Sequence, residues 1–451
     1  MKKNRGSFTN KLGFVMAAAG SAVGLGNLWR FPYLAAKHGG GIFLLVYLVL
    51  AITFGFTLMI TEIAIGRKTH LSVIGAYKAL DKRFSFLGYL ACAIPFLIVP
   101  YYSVIGGWVL KYLAVFITGG VSKASDDAFF GGFISSPISP IIFFALFVLF
   151  TAIVVIFGVE SGIERVSKIM MPILICLTLI IAIYSVSRPG AMAGVIYYLR
   201  PDFSKFSATT VFTAMGQLFY SMSLAMGIMI TYGSYMKKEN HLEYSVHQVE
   251  IFDTAIAFLA GLMIIPSVFV FSGGDEAALG KGPGLMFVTL PKVFDSMPAG
   301  GIIGTIFFLL VLFAALTSSI SLMETCVSIL MDRVKISRKK ASIGITVFML
   351  IVGIPVSLGF GLLSFIAPLK MDLLTFFDFI SNSIMMPIVA LLTCILVGYV
   401  IKPKAIIEEV EINGPFKLKS FYTIMIKYIA PVFLVIILIF SIMENLGFVT
   451  V

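Results

Sequence analysis

Long apolar runs separated by short polar segments follow one another along the whole chain. A helix needs about 20 apolar residues to cross a bilayer, and the pattern provides eleven such runs. Their expected ranges are 12–36, 41–66, 84–117, 138–158, 165–187, 209–236, 248–272, 300–330, 341–362, 373–400 and 421–445. The pattern therefore predicts an all-α polytopic membrane protein with a single transmembrane domain over residues 1–451.

The first span is interrupted in its middle. It reads LGFVMAAAGSAVGLGNLWRFPYLAA and holds Gly20, Gly24 and Gly26 before a polar Asn27. Glycine costs roughly 1 kcal/mol per residue in a helix relative to alanine, so this density of glycine predicts a break. Unwound backbone at membrane depth persists where it is buried in protein or lines a cavity, and its free carbonyls can hold a cation. A kinked, glycine-packed helix is the alternative that the spacing alone leaves open.

Span six contains a second interruption. Its centre, residues 221–227, reads SMSLAMG, where a lipid-facing helix would be plainly apolar. Spans one and six begin two possible five-helix repeats, about 12–187 and about 209–400, and the odd number of spans gives the repeats opposite orientations. Interrupted segments at matching positions of two such halves indicate a transporter's binding site. The span at about 421–445 lies outside the repeats.

Composition and charge exclude several functional classes. The chain is 59% hydrophobic and 12% charged, whereas soluble domains contain about 25% charged residues. The net charge of +11 does not indicate nucleic acid, because Lys and Arg are concentrated in short loops on one side. This bias predicts an inner (cell) membrane protein with a cytoplasmic N-terminus and an external C-terminus. No span contains a histidine and the four cysteines form no CxxC pair, so we expect no enzyme.

The sequence GSAVGLGNLWRFPY at residues 20–33 resembles the first-helix motif of the neurotransmitter:sodium symporter family. The resemblance extends from residue 5 to about residue 440, although many family members have twelve spans and this chain has eleven. It implies inverted five-helix repeats with broken helices 1 and 6, and sodium-coupled symport by alternating access. A ligand-gated channel is the alternative from another class, but it would need a continuous polar pore.

The resemblance implies a first sodium site at the two breaks. This site would use the carbonyl of Ala22 and the side chains of Asn27, Ser221 and Asp253. Chloride-dependent relatives bind an anion nearby, at positions that here are Tyr47, Gln217, Ser221, Asp253 and Ala257. Because Ala257 has no hydroxyl and Asp253 can balance a buried cation permanently, no chloride is expected. The carboxylate could also take up a proton after sodium leaves, so proton antiport stays open.

A second sodium site would lie between spans one and eight. The span-eight sequence FAALTSS, residues 313–319, resembles the family's sodium motif. The implied ligands are the carbonyls of Gly20, Val23 and Ala314 and the hydroxyls of Thr317 and Ser318. Hydroxyls that bond back to their own helix are the alternative explanation of this motif.

The same breaks are expected to line a substrate pocket. Amide groups near Leu25 and Gly26 lie at the start of a half-helix, where an anion is favoured. Monoamine transporters have aspartate where this chain has Gly24, so an amino acid fits better than an amine. The pocket residues implied by the resemblance are Ser21, Ala22, Gly24, Leu25, Gly26, Ile98, Tyr102, Tyr220, Ser221, Ser223, Met226, Ser318 and Leu322. Their apolar and aromatic walls favour a hydrophobic, above all an aromatic, amino acid; an aromatic metabolite such as an indole is the alternative.

Two charge pairs are implied as gates. Arg30 and Asp378 match the external pair of the family, and Arg5 and Asp332 match the internal pair. Phe8 stands where relatives often have tryptophan, so this contact is expected to be altered.

Two further segments carry expectations of their own. Gly162 and Pro172 in span five are separated by nine residues, a spacing linked in the family to unwinding and inward release. A routine helix start and kink would explain them equally simply. The acidic run EEVE at residues 408–411 is expected to be a solvated loop face.

Overall fold

The computed structural model describes residues 6–273 and 283–445. Within these two ranges the regular secondary structure is helical, and an isolated β-bridge joins Gly40 to Pro201. Arg5 of the predicted internal gate lies outside the described residues.

Eleven helical elements, α1 to α11, occupy the eleven predicted spans in the described part of the chain. Two of them are interrupted: α1 consists of Lys11–Ala22 and Gly26–Lys37, and α6 consists of Ala208–Ser221 and Ile228–Gly233. The others are α2 (Gly41–Thr69), α3 (Lys82–Ile117), α4 (Ser139–Ile156), α5 (Val159–Val186), α7 (Leu242–Ser272), α8 (Gly300–Val334), α9 (Arg338–Leu358), α10 (Leu373–Val400) and α11 (Lys419–Met443). Short helices between them include Val73–Leu80, Val121–Ala124, Asp127–Ser135, Ala191–Leu199, Leu290–Ser296 and Lys404–Val410.

These helices agree with the predicted membrane spans. Among the described residues, nine are long and apolar enough to cross a membrane, and the two halves of α1, bent by 50°, make a tenth. The halves of α6 have only 14 and 6 residues and fall short of that length.

The sequence placed the start of α7 at residue 248, but the helix begins at Leu242 because His241 caps it by accepting the Tyr244 N–H.

The break in α6 lies where the sequence placed it. Residues Ser223, Ala225 and Gly227 have φ values of 55°, 60° and 76°, a left-handed backbone that costs an L-residue roughly 1–2 kcal/mol. The Ala225 N–H, freed by the break, donates to Oε1 of Glu62 in α2 over 2.6 Å. The unwound segment is therefore held by a carboxylate from a neighbouring helix.

The second half of α6 packs against α2 backbone to backbone. A Cβ atom added to Gly66 would lie 1.9 Å from the Ile230 carbonyl oxygen, and one added to Gly233 would lie 2.3 Å from the Ile63 carbonyl oxygen. Only glycine allows this approach at either position. The two helices consequently form one tightly packed unit.

The acidic run at residues 408–411 corrects a sequence expectation. The side chain of Glu408 is 58% exposed, as a solvated loop face requires. The expectation is wrong for Glu409, whose side chain is only 3% exposed. Its carboxylate is drawn inward because Arg67 and Lys238 both form ion pairs with it.

Candidate substrate and sodium site

A cavity of about 30 Å³ lies between the breaks of α1 and α6. All of the predicted pocket residues except Ser221 line it. The cavity also contacts Ile228, which the sequence analysis missed. Its place directly after the predicted break at residues 221–227 could have identified Ile228 as a lining residue, because it is the first residue of the second half of α6.

The end of the cavity near α1 leaves no room for a side chain at residue 24. A Cβ atom added to Gly24 would lie 2.6 Å from Oγ of Ser318 and 3.0 Å from the hydroxyl oxygen of Tyr102. That tyrosine hydroxyl also accepts the N–H of Leu25 over 3.3 Å. Because residue 24 has no side chain, the Ser318 and Tyr102 hydroxyls and the Leu25 N–H remain accessible at this end of the cavity.

The carbonyl of Ser21 connects three helices at the cavity wall. It accepts hydrogen bonds from Oγ of Ser223 in the α6 break, over 3.0 Å, and from Oγ of Ser318 in α8, over 3.1 Å. The hydroxyls of Ser21 and Ser223 are also 3.1 Å apart. These bonds fix the relative positions of the two breaks.

The side chains predicted for the first sodium site come together beside this cavity. Nδ2 of Asn27 donates to Oδ1 of Asp253 over 2.7 Å and to Oγ of Ser221 over 3.1 Å. Ser221 donates to the two oxygens of the same carboxylate, over 2.8 and 3.0 Å. Asp253 is 0% exposed. The cluster therefore offers carboxylate and hydroxyl oxygens, which are ligand types that hard cations prefer. The Asn27 amide oxygen faces away from it in this structure and accepts the Gly24 N–H over 3.1 Å.

The positions matched to the anion site of chloride-dependent relatives surround the same carboxylate. The Tyr47 hydroxyl donates to Oδ2 of Asp253 over 3.2 Å. Nε2 of Gln217 donates to the Gly26 carbonyl over 2.8 Å, and its Oε1 has no hydrogen-bond partner among the described residues. Ala257 is fully buried and presents only a methyl group.

Gly20 and Thr317, two of the residues predicted for the second sodium site, lie next to each other where α1 contacts α8. A Cβ atom added to Gly20 would lie 3.3 Å from Cβ of Thr317. Oγ1 of Thr317 donates to the carbonyls of Phe313 and Ala314, over 3.0 and 3.1 Å. In this structure the threonine hydroxyl is thus bonded to its own helix, the arrangement that the sequence left as the alternative.

A second, larger cavity of about 250 Å³, here called the vestibule, lies on the other side of Tyr220. Tyr220 lines both cavities, and the Arg30 guanidinium lies 5.4 Å from the centroid of its ring. The two external gate residues, Arg30 and Asp378, line the vestibule, but none of the ion pairs between described residues joins them. Asp378 instead accepts the Tyr101 hydroxyl over 2.9 Å and the side-chain amide of Asn382.

His38, just beyond the end of α1, also lines the vestibule. Burial and the neighbouring charge of Lys37 lower the pKa of His38 to about 4. The imidazole is therefore neutral at neutral pH, and the positive charge of this wall comes from Arg30 and Lys37.

The opposite face, here called the N-terminal face, carries residues 6–10 and the segments 234–241 and 404–418. Phe8 is fully buried there, with its N–H donating to the Tyr235 carbonyl over 3.1 Å and its ring 5.6 Å from that of Tyr232. Asp332 of the predicted internal gate accepts the N–H of Ser72 over 2.8 Å. Phe8 thus packs into the N-terminal face, at the position where relatives often have tryptophan.

The start of α5 also contacts the N-terminal segment. Glu164 accepts the N–H of Thr9 over 2.8 Å and the ammonium of Lys168 over 2.5 Å. A Cβ atom added to Gly162 would lie 2.1 Å from the Val154 carbonyl oxygen, so close packing requires glycine here. Pro172 lies inside α5, at the spacing noted in the sequence.

The sequence analysis missed several buried carboxylates inside helices, and Glu62 and Glu324 are the two most relevant to the site. Glu62 holds the α6 break, and Glu324 of α8 forms an ion pair of 2.6 Å with Arg338. The Tyr235 hydroxyl donates to the same Glu324 over 2.6 Å. Charged residues within membrane spans are costly and usually have a function. Applied to the sequence, this rule could have identified Glu62 and Glu324.

The broken helices, the central cavity and the helical spans define a multi-pass transporter. The sequence model of the Sodium:neurotransmitter symporter family matches residues 5–126 and 138–448, and the chain belongs to this family. The resemblance drawn from the first-helix motif is thereby confirmed. The protein is a sodium-dependent symporter.

Relatives from distant organisms match most of the chain, and the two bacterial ones match almost all of it. An uncharacterised sodium-dependent transporter of Bacillus subtilis is 35% identical over 95% of this chain and 96% of its own length. A similar transporter of Haemophilus influenzae is 34% identical, with 97% and 98% covered. A sodium- and chloride-dependent GABA transporter of Homo sapiens is 27% identical over 78% of this chain and 67% of its own.

A solved structure supports the same fold. The crystal structure of MhsT in complex with L-phenylalanine matches with a TM-score of 0.87 and 37% sequence identity, covering 97% of this chain and 100% of that one. The predicted fold class, an all-α membrane protein with two broken helices, is therefore confirmed.

Proposed function

We propose that this protein imports a hydrophobic amino acid, with aromatic side chains preferred, by sodium-coupled and chloride-independent alternating access. The observation that carries the proposal is the central cavity. At one end it has the Leu25 N–H and the Tyr102 hydroxyl. Elsewhere it is walled by apolar and aromatic side chains, which are Ile98, Tyr220, Met226, Ile228 and Leu322.

The glycine at residue 24 supports an amino acid over an amine. The amide and hydroxyl groups beside it are hydrogen-bond donors that suit a carboxylate. The space at Gly24 is too tight for an aspartate, the group that an amine substrate would need, unless Ser318 and Tyr102 move. The Ser223 hydroxyl and the carbonyls of the α6 break supply acceptors for the substrate ammonium.

The side-chain preference rests on the cavity walls and on a neighbouring structure. Met226 is unbranched and adapts to different shapes, while the Tyr220 ring closes the cavity toward the vestibule. MhsT, which binds L-phenylalanine in its crystal structure, shares 37% of its sequence with this chain. We therefore expect phenylalanine, tyrosine, tryptophan and leucine to be bound.

Two sodium ions are proposed to accompany the substrate. The first would be held by the Ala22 carbonyl with Asn27, Ser221 and Asp253. The second would be held by carbonyls of Gly20, Val23 and Ala314 with Thr317 and Ser318, once the Thr317 hydroxyl turns from its own helix. Either ion gains from oxygen ligands in a site that excludes water.

Chloride independence is proposed from the charge at the first site. A buried cation without a countercharge is costly, and the fully buried Asp253 carboxylate provides that charge permanently. Ala257 offers no hydroxyl to an anion. We further propose that the N-terminal face is cytoplasmic and the vestibule external, in an inner cell membrane, because the basic loops favour that orientation.

Competition for binding tests the substrate class. Purified protein in proteoliposomes is given radiolabelled L-phenylalanine in sodium, with unlabelled L-amino acids, phenethylamine and indole as competitors. Hydrophobic amino acids should compete at the lowest concentrations. If phenethylamine competes better than L-phenylalanine, the carboxylate argument is wrong, and if indole does, the protein carries an aromatic metabolite. Single-channel currents instead of saturable uptake would make it a channel.

A further inference from the structure

A cluster of buried charge lies on the N-terminal face, outside the cavity and both proposed sodium sites. The side chain of Arg67, near the end of α2, is 0% exposed, and its Nε lies 2.8 Å from Oε1 of Glu409. Its Nη1 donates to the Asn240 carbonyl over 2.8 Å, and its Nη2 donates to the carbonyl of Glu409. Lys238 adds contacts of 2.7 and 2.9 Å to the two carboxylate oxygens. One carboxylate thus joins α2 to the segment that follows α6.

Glu409 belongs to residues 404–418, which we call the strap. The side-chain amide of Asn413 in the strap donates to the carbonyl of Asn240 over 3.1 Å. Phe416 is 2% exposed, and its ring lies 6.4 Å from that of Phe56 in α2. The strap is therefore packed onto the N-terminal face and bonded to it at several points, which a solvated connecting loop would not be.

The two ends of the strap continue into helices that wall the vestibule. On one side it follows α10, which contributes Asp378 and Ser383 to that wall, and on the other it leads into α11, which contributes Phe440. Through α10 and α11, the strap is consequently connected along the chain to the wall of the vestibule.

The partner of the strap is a single mechanical unit. Because Gly66 and Gly233 bring α2 and the second half of α6 into backbone contact, neither can shift far alone. Arg67 directly follows Gly66, and Lys238 and Asn240 lie a few residues beyond Gly233. Any displacement of this unit therefore acts on Glu409.

We propose that the strap couples the α2–α6 unit to α10 and α11, so that ion binding at the α6 break alters the vestibule wall. Arg67 and Glu409 are its positioning residues. Interior charge pairs of this kind interact strongly because the surrounding dielectric constant is low, and removing one partner leaves the other uncompensated. The coupling rests on the proposed first sodium site and on no particular substrate.

The test measures the accessibility of the vestibule in variants whose strap contacts are weakened. Ser383→Cys places a thiol on the vestibule wall, and its reaction with a membrane-impermeant maleimide is timed in sodium chloride and in potassium chloride, above the background of the native cysteines. The variants are Glu409→Gln, Arg67→Lys and the milder Lys238→Gln, whose parent side chain is 39% exposed. Glu408→Gln is the matched control, because that neighbouring carboxylate is 58% exposed and forms only a 3.8 Å ion pair with Lys404.

In the Ser383→Cys parent, sodium should change the modification rate several-fold relative to potassium. Glu409→Gln, Arg67→Lys and Lys238→Gln should bring this ratio close to one, and Glu408→Gln should keep it. Only variants that elute as monodisperse protein and retain the parent's thermal midpoint within a few degrees are compared. If Lys238→Gln or Glu409→Gln keeps the full sodium effect, or if the parent shows none, the strap does not couple the two faces.

Discussion

The side-chain amide of Asn27 donates a hydrogen bond of 2.7 Å to Oδ1 of Asp253. Asn27 follows the break in α1, and Asp253 lies inside α7. Ser221, the last residue before the break in α6, donates to the same carboxylate oxygen over 2.8 Å. Both breaks therefore converge on one buried negative charge, and the proposed sodium chemistry follows from that convergence.

Replacing this charge should change the anion requirement. In Asp253→Asn combined with Ala257→Ser, the fixed countercharge is removed and a hydroxyl is added, so uptake should either require chloride or be lost. Ala257→Ser alone is the control, since the carboxylate remains and chloride should still have no effect. Uptake is measured in sodium chloride and sodium gluconate. A double variant that transports equally well in both salts would refute the countercharge role of Asp253.

The second proposed sodium site can be tested through its hydroxyls. Thr317→Ala with Ser318→Ala removes two oxygen ligands, and lost interactions with a charged group cost about 1.5–3 kcal/mol each. The sodium concentration for half-maximal uptake should therefore rise at least about tenfold. Thr346→Ala is the control, because that hydroxyl lies outside the proposed site and donates to the Ser342 carbonyl of its own helix. An unchanged sodium dependence in the folded double variant would remove this site from the account.

Gly24→Ala should weaken substrate binding. The added methyl group would meet Ser318 at 2.6 Å and Tyr102 at 3.0 Å, and overpacking of this kind costs about 1–3 kcal/mol, or about 5- to 150-fold in affinity. The dissociation constant of L-phenylalanine in sodium measures the effect. Gly132→Ala, where an added Cβ has no neighbour within 4 Å, should leave binding unchanged. Equal affinities in the two variants would contradict the tight-space argument.

The sequence predicted the helix breaks and the cavity-lining residues more completely than the buried ion pairs that hold the helices together. Helix breaks follow from local composition, so the interruption at residues 221–227 was visible in the sequence, and motif resemblance supplied the lining of the cavity. Buried ion pairs depend on contacts between residues far apart in the chain. Arg67 and Glu409 are 342 positions apart, and nothing local distinguishes Glu409 from the exposed Glu408. The start of α7 shifted for a different reason: the His241 cap is a local signal, but the apolar pattern used to place the spans does not contain it.

A stability prediction follows from the α6 break. Ala225 has a φ of 60°, which glycine adopts without the steric cost of about 1–2 kcal/mol that alanine incurs. Ala225→Gly should therefore raise the thermal midpoint by a few degrees. Ala315→Gly, in the middle of the continuous helix α8, should lower it because glycine is unfavourable by roughly 1 kcal/mol there. A midpoint that falls in both variants would show that the break is not strained at Ala225.

The most direct test of the central claim is uptake of radiolabelled L-phenylalanine into proteoliposomes under three inward salt gradients: sodium chloride, sodium gluconate and potassium chloride. Sodium-coupled, chloride-independent symport predicts equal accumulation in the two sodium salts and none above the protein-free background in potassium chloride. Accumulation that collapses in sodium gluconate, or that persists in potassium chloride, would contradict the account.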